Sequence, residues 1–350
     1  MKQSVLVGLS GGVDSAMTAY LLKEQGYKVT GVHLKLHNEE KADYHQGINH
    51  IAEKLGIDWL DYNAVDLFEK EVIGYFTRFH LEGRTPSPCA HCNPAVKWKL
   101  LVDIANSAGI NKVATGHYIR IHEENCIHRI YRGIDKLKDQ SYYMWQLGEG
   151  ILSRSVTPLG DYTKQDIRNL AERIGLEKLS GSGESSGLCF AGGRSCEELL
   201  NTYIPGLPER IEPGIVTDKN GNKIGTHKGY IYYTIGQKKD LQLDSTEKLS
   251  VSKIDAVNNV LVAEPWQNLY HKEFIITDFI FADLNECMNI SDMQVMIRGF
   301  GLNPAGNAKI TLIDSNKIKV NLENPAWAPA PGQPAVFYSG DKLLGGGIIY

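Results

Sequence analysis

Apolar and polar positions in the first half of the chain alternate between two periods. Short runs rich in apolar and β-branched residues, Ser4 to Leu9, Lys28 to Leu36, Asp58 to Ala64 and Lys112 to Thr115, read as strands. Between them Ala16 to Gln25, an amphipathic segment, and Gly47 to Leu55, Asp66 to Phe79 and Ala95 to Ala108 carry helical spacing. Strands and helices in this order predict a parallel, doubly wound α/β sheet. Ligands of such sheets bind beyond the carboxyl ends of the strands, where the turn after Leu9 and the turn Thr115-Gly116-His117 would both lie. Ile119 to His122 and Cys126 to Tyr131, parted by Glu123-Glu124-Asn125, read as a hairpin added to that sheet. Lys164 to Ile174 reads as a helix ended by Gly175. Past about residue 205, Pro205, Pro208 and Pro213 punctuate the chain, and short alternating strands with turns such as Lys219-Asn220-Gly221-Asn222 replace helical periodicity. The expected organisation is a catalytic α/β domain over 1–205, a small mostly β central domain over 206–270 and a β-barrel over 271–350.

With 350 residues the chain exceeds one ordinary core. Apolar runs such as Val5 to Leu9 fall far short of a membrane span, and the N-terminus lacks a basic stretch followed by a hydrophobic one, which gives a cytoplasmic expectation. Six cysteines at no regular spacing do not describe a disulfide scaffold, so their chemistry is that of thiols. A net charge of −4 does not advertise a polyanionic partner, but local patches decide that, not the total.

The turn after the first strand reads Ser10-Gly11-Gly12-Val13-Asp14-Ser15. A glycine turn opening a helix leaves first-turn N–H groups free for phosphate oxygens, with Ser10 and Ser15 hydroxyls beside them and no Cβ at Gly11 or Gly12. The bland alternative is a structural strand-to-helix connection. A lysine-bearing Walker loop is absent. The string resembles the pyrophosphate-binding signature of the ATP pyrophosphatase (PP-loop) families, which cleave ATP between the α and β phosphates and activate a substrate as its adenylate.

Two loops carry the cysteines of interest. In Gly83-Arg84-Thr85-Pro86-Ser87-Pro88-Cys89-Ala90-His91-Cys92-Asn93-Pro94 the prolines imply an extended path and a helix starting at Pro94 or Ala95. Cys92 would then lie beside a helix N-terminus with Lys97 and Lys99 following, a setting that lowers a thiol pKa. The second loop, Glu184-Ser185-Ser186-Gly187-Leu188-Cys189-Phe190-Ala191-Gly192-Gly193-Arg194, sets Cys189 close to a cation, Arg194. Reactive thiols, a zinc knuckle and inert buried cysteines all remain open for Cys89, Cys92 and Cys189; the zinc reading lacks a well-placed fourth ligand. Cys126, Cys196 and Cys287 fall in strand-like or helix-like segments and are assigned the inert role. Arg129, Arg132, Lys136 and Lys138 beside Tyr142 and Tyr143 suit a phosphate backbone and an exposed base, or else form a solvated charged loop.

Taken together, Gly8 to Ser15, Thr85 to Asn93 with Lys97, Ala114-Thr115-Gly116-His117-Tyr118, Lys138-Asp139-Gln140-Ser141-Tyr142, Ser186-Gly187-Leu188-Cys189-Phe190, Tyr233 to Gln237 and Pro331-Gly332-Gln333 closely resemble the bacterial tRNA-specific 2-thiouridylase family. The resemblance spans essentially the whole chain. It implies a PP-loop (adenine nucleotide α-hydrolase-like) domain, a small central domain and a barrel that grips the anticodon arm. Gly8, Leu9, Ser10, Gly11, Gly12, Val13, Asp14, Ser15, Leu34 and Gly116 would bind ATP with Mg²⁺. Cys92 would be the nucleophile that releases sulfur from a persulfide on Cys189, leaving a transient Cys92–Cys189 disulfide. Ser87, Pro88, Cys89, His117, Lys138, Asp139, Gln140, Arg298, Gly299 and Gln333 would touch tRNA. A cysteine desulfurase or relay protein would donate the sulfur.

This sequence departs from the family pattern at Glu184 and Ser186, at Gln237-Lys238-Lys239-Asp240, at Arg298-Gly299, and at Cys89, which some members replace with Asp. The expected reaction is adenylation of the wobble uridine 2-oxygen followed by persulfide sulfur transfer. Its rivals are a [4Fe-4S]-dependent transfer on the three cysteines, another PP-loop adenylating synthetase, and a non-catalytic RNA-binding or sulfur-carrier protein.

Overall fold

The computed structural model describes residues 2–38, 44–176, 187–244, 246, 248–299 and 301–350. Glu184, Ser185 and Ser186 lie outside the described residues. The chain divides into two compact units, the first comprising the described residues of 1–72, 89–190 and 341–343 and the second residues 73–88, 191–340 and 344–350. The long second stretch of the first unit runs to Phe190, and the helix Gly74–Leu81 belongs to the second unit.

In the first unit β1 (Ser4–Gly8), β2 (Lys28–Lys35), β3 (Asp58–Asn63) and β4 (Lys112–Ala114) are followed by the hairpin β5 (Ile119–Glu124) and β6 (Ile127–Arg132), and by β7 (Ser155–Val156), a strand too short for its pattern to declare. The sheet order is β3-β2-β1-β4-β7, and every pair is parallel. β1 is central, so Val5, Leu6 and Val7 are buried on both faces, which explains a continuous apolar run where a half-exposed strand would alternate. Strand order reverses between β1 and β4, the position at which doubly wound sheets bind ligands.

Helix α1 (Val13–Glu24) is buried nearly all round and packs against both the sheet and the helix Lys164–Arg173. The amphipathic expectation for this segment therefore fails, because small residues Ala16 and Ala19 let the helix be covered from two sides. Helix α2 (Tyr44–Leu55) contributes Ile48 and Ile51 to the same core. The hairpin does not extend the parallel sheet. Its strands pair with each other, and Tyr131 pairs with Lys342.

The second unit carries β8 (Gly214–Thr217), β9 (Lys223–His227), β10 (Gln242–Leu243), β11 (Leu249–Asp255), β12 (Val260–Pro265), β13 (Tyr270–Phe281), β14 (Met293–Met296), β15 (Ala308–Asp314), β16 (Lys317–Trp327), β17 (Pro334–Ser339) and most of β18 (Lys342–Ile349). One sheet runs β10-β9-β8-β12-β11 around Val216, Val251 and Leu261. The other runs β14-β17-β18-β13-β16-β15 around Ile276, Val295, Val320 and Phe337. Alternating strands with turn residues thus form the two β layers that the sequence implied. Among the described residues no helix is long and apolar enough to cross a membrane.

Candidate active site

The loop leaving β1 is braced from within. Gly8 ends the strand, and the buried Leu9 bonds backbone to backbone with Val32 while its carbonyl lies 3.0 Å from His33 Nδ1. Gly11 sits at φ +75, a left-handed conformation that favours glycine, and extended Gly12 caps α1 without a side chain. The Ser15 hydroxyl donates to the Gly12 carbonyl (2.9 Å) and accepts from the Ser10 backbone N–H (3.1 Å). The two serines therefore shape the loop in addition to any contact with phosphate. Val13 is buried, Leu34 is half-buried near the carboxyl end of β2, and a Cβ on Gly116 would fall 2.9 Å from the Asp14 backbone. The two turns do meet.

Asp14 does not stand free. Its carboxylate accepts from Lys164 Nζ at 2.6 and 2.7 Å and from the Tyr118 hydroxyl at 2.8 Å. The sequence reading did not name Lys164. Its signal was legible in principle: a lysine directly after a Thr163 cap opposes the helix dipole and calls for a carboxylate partner.

The cysteine segment differs from expectation. A helix already starts at Pro88, so Pro88–Cys92, the π-helical turn Asn93–Lys97 and the helix Trp98–Ser107 follow without a break. Pro88 serves as an opening residue, and Pro94 is the internal proline. Lacking an N–H and crowding the carbonyl four residues back, Pro94 widens the helix, and the Trp98 N–H bonds the Asn93 carbonyl five residues away. Cys92 is therefore buried inside a helix, not beside a helix start. Burial pushes its thiol up to about 12, against the opposing pull of the Lys97 ammonium and the Lys97 backbone N–H at its sulfur. The expectation of a lowered Cys92 pKa is overturned, because desolvation outweighs the nearby charge. Burial likewise raises Cys89 despite Lys97.

Lys97 interacts electrostatically with all three of Cys89, Cys92 and Cys189. Burial alone would lower its ammonium, but the three thiols reverse the sign and hold it above the ordinary lysine range. Cys189 is exposed, and the following Phe190 packs edge-on to Phe68 with centroids 5.8 Å apart. Lys97 is a cation that interacts with Cys189; the Arg194 guanidinium donates to the Ala191 carbonyl and lies over the Tyr203 ring. The neighbouring Asn93 donates to the Tyr143 carbonyl, while its buried Oδ1 has no hydrogen-bond partner among the described residues. His117 shares a 2.7 Å hydrogen bond with Thr115 and stacks on Trp98. Burial and the Lys97 charge bring its pKa down to about 3, so it is neutral at pH 7.

Several residues expected to touch tRNA also brace the protein internally. Asp139 is buried and accepts from the backbones of Gly133 and Ser141 and from the Ser141 hydroxyl, with Arg132 3.5 Å away. Burial nevertheless raises its pKa. Gln140 holds the Tyr118 backbone through its side-chain oxygen. In the second unit Gln333 donates to the carbonyls of Thr85 and Pro86, fixing the segment that contains buried Ser87 and Pro88. Arg298 bonds the Ala328 carbonyl and covers the Trp327 ring, with Gly299 half-buried beside it. Lys138, half-buried, ends a turn by donating its N–H to the Asp135 carbonyl.

The remaining cysteines are scattered. Cys126 occupies the hairpin turn, Cys287 lies in the barrel core, and Cys196 has its sulfur 3.6 Å from His80 Nε2 with a thiol raised by burial to about 11. A cleft of about 740 Å³ in the second unit contains none of the expected site residues.

Three family models match in succession: a tRNA methyl transferase HUP domain over residues 3–193, a tRNA methyl transferase PRC-barrel domain over 198–264 and an aminomethyltransferase beta-barrel domain over 272–349. The tRNA-specific 2-thiouridylase MnmA of Clostridium acetobutylicum is 36% identical over 360 residues, which span 100% of each chain. MnmA 2 of Phocaeicola vulgatus is 37% identical over 348 residues, covering 99% of this chain and 97% of its own. The chain belongs to the tRNA-specific 2-thiouridylase family. The doubly wound PP-loop fold, the small central domain and the C-terminal β-barrel inferred from sequence are those of the family, in which the central domain is a PRC-barrel. Within that family this chain is one with Cys at position 89.

Proposed function

We propose that this protein is a tRNA-uridine 2-sulfurtransferase that adenylates the 2-oxygen of the wobble uridine with ATP and replaces it with sulfur carried by Cys189. One observation carries the reading: the segment Thr115 to Tyr118 touches both halves of the chemistry. Gly116 backs onto Asp14 and Ser15 of the glycine loop, and His117 lies beside Lys97, the ammonium that interacts with all three thiols.

The glycine loop and the first turn of α1 receive the ATP phosphates, and Leu34 lines the nucleotide side. Asp14, in the first turn of α1, is already paired with Lys164, so the described residues do not offer a dedicated magnesium site, and no step is routed through one. Attack of the uridine 2-oxygen on the α-phosphate releases pyrophosphate and turns that oxygen into part of an AMP leaving group. The terminal sulfur of a Cys189 persulfide attacks C2, and the C2–O bond breaks to release AMP. Cys92 then attacks Cys189 Sγ; the S–S bond to the transferred sulfur breaks, its electron pair stays with the RNA sulfur, and a Cys92–Cys189 disulfide forms. A dithiol reductant regenerates the pair, and a cysteine desulfurase or sulfur-relay protein reloads Cys189. A cytoplasmic location fits these needs. Among the described residues no three His, Cys, Asp or Glu side chains are arranged to hold a metal ion, and no step here uses an iron-sulfur cluster.

The test supplies desulfurase, radiolabelled cysteine, ATP and unmodified tRNA to metal-free protein. Wild type should form 2-thiouridine only with ATP. Cys189→Ser should lose protein-bound label, Cys92→Ser should keep the label and fail in transfer, and Cys89→Ser should retain a substantial part of the activity. Equal labelling of the first two variants would contradict the roles, and activity that appears only after iron-sulfur reconstitution would replace the persulfide route.

A further inference from the structure

Lys164 is out of place by the ordinary rules. It occupies the first turn of the helix Lys164–Arg173, where the dipole disfavours a cation, and its side chain is only 11% exposed. The Thr163 and Asp166 capping box fixes where that helix starts, and hence where the ammonium is held. From there the ammonium reaches both oxygens of Asp14, at 2.6 and 2.7 Å.

The same residue is held at its other end. Its backbone N–H donates to Asp135 Oδ2 at 2.9 Å, while Asp135 Oδ1 accepts from Leu137 and the Asp135 carbonyl accepts from Lys138. Asp135 is therefore the knot of a loop that presents Lys136 and an 84% exposed Leu137 to solvent. A second connection runs in parallel. Gln140 at the end of that loop bonds the Tyr118 backbone twice, and the Tyr118 hydroxyl donates to Asp14. Two chains of hydrogen bonds from the loop thus converge on one carboxylate in the glycine loop.

We propose that Lys164 is a positioning residue through which the loop 135–140 and the glycine loop sense each other, so that ATP and tRNA bind more tightly together than apart. The inference rests on the ATP- and tRNA-using reading above. Its switching element is the ammonium, which has two alternative partners: the Asp14 carboxylate, or the polyphosphate that would lie against the start of α1. RNA phosphates drawing on the 135–138 turn shift Asp135, and with it the helix start that carries Lys164. Because linkage is reciprocal, the nucleotide must favour the RNA-bound form of the loop by the same factor.

Calorimetry with a non-hydrolysable ATP analogue, in the presence and absence of unmodified tRNA, measures that factor. Wild type should bind the analogue about 5-fold or more tighter with tRNA present, the lower end of ordinary coupling. In Lys164→Met the factor should fall to near one, whatever the affinity of each ligand alone, and Lys164→Arg should restore part of it. Asp135→Asn breaks the bridge at the loop end and should also lower the factor, which keeps the test open if Lys164→Met does not fold. A folded Lys164→Met that keeps the full factor, or a wild type with a factor of one, overturns the inference. A wild type that binds neither ligand overturns the function on which it rests, a distinct result.

Discussion

At the scale of single residues, reactivity is decided by which thiol is desolvated. Cys92 is buried with its thiol pushed up to about 12, whereas Cys189 is exposed. Iodoacetamide should therefore modify Cys189 before Cys92, and alkylation of Cys92 should still be rising with pH beyond 9, since a raised thiol pKa delays the thiolate to higher pH. Peptide mass mapping across pH 7 to 10 checks this, and a Cys92 that reacts as fast as Cys189 at pH 7 would refute it. Lys97 is the opposing influence. Lys97→Met should raise the Cys92 thiol further and slow single-turnover sulfur transfer by about 10-fold or more, the size expected from losing a charge within a few ångströms of a thiolate, while persulfide loading of Cys189 persists. The identities of Cys92 and Cys189 were legible in the sequence because their loops stand out in composition. The burial of Cys92 was not, because it depends on a helix that starts six residues before the expected Pro94.

Element boundaries show why that start was misjudged. Pro86 and Pro88 read as two breakers, yet proline is welcome in a first helical turn, so Pro88 opens a helix, and it is Pro94, taken for the start, that distorts it. The π-helical turn is a product of Pro94 and sets the direction in which Lys97 leaves the helix. Pro94→Ala should let the segment close into ordinary i to i−4 bonding and rotate Lys97 by roughly one residue, about 100°. The variant should be folded and should show the same slowed sulfur transfer as Lys97→Met. Unchanged transfer in folded Pro94→Ala would separate the π turn from the chemistry. The hairpin forms as expected, but its turn was misplaced for a related reason. Its two-residue turn is Asn125-Cys126, with φ of +51 and +63, and a cysteine at that second position gives no glycine signal to read. Cys126→Gly should stabilise the protein by up to about 1 kcal/mol and Cys126→Val should destabilise it, as measured by urea unfolding. By contrast the parallel sheet and the glycine loop were fully legible, because a strand buried on both faces followed by Ser10 to Ser15 leaves few other arrangements.

For the molecule as a whole, buried neutral histidines govern acid stability. Burial holds His117 in the first unit down to about 3 and His80 in the second down to about 4, and it lowers His227 as well. Each depressed value means that the unfolded chain takes up a proton near pH 6.5 that the folded chain refuses. Their contribution is therefore intact above about pH 6.5 and lost as pH falls toward 4. At the linkage rate of about 1.4 kcal/mol per pH unit and group, His117 and His80 together would cost on the order of several kcal/mol by pH 4. The exposed capping carboxylates Asp166, Glu198, Asp218 and Asp255, held low by hydrogen bonds to their turns, lose their share over a more acidic range, below about pH 4.5. Asp139 acts in the opposite sense, since burial raises its carboxyl and protonation there favours the folded state. Two histidines displaced over a wide range outweigh that one group. Urea unfolding at pH 7.5, 6.5, 5.5 and 4.5 should show nearly constant stability down to pH 6.5 and a steep fall below it. A free energy that stays level to pH 5 would mean that both His117 and His80 take up their protons in the folded protein, which at His117 would place a cation beside Lys97 in the thiol cluster.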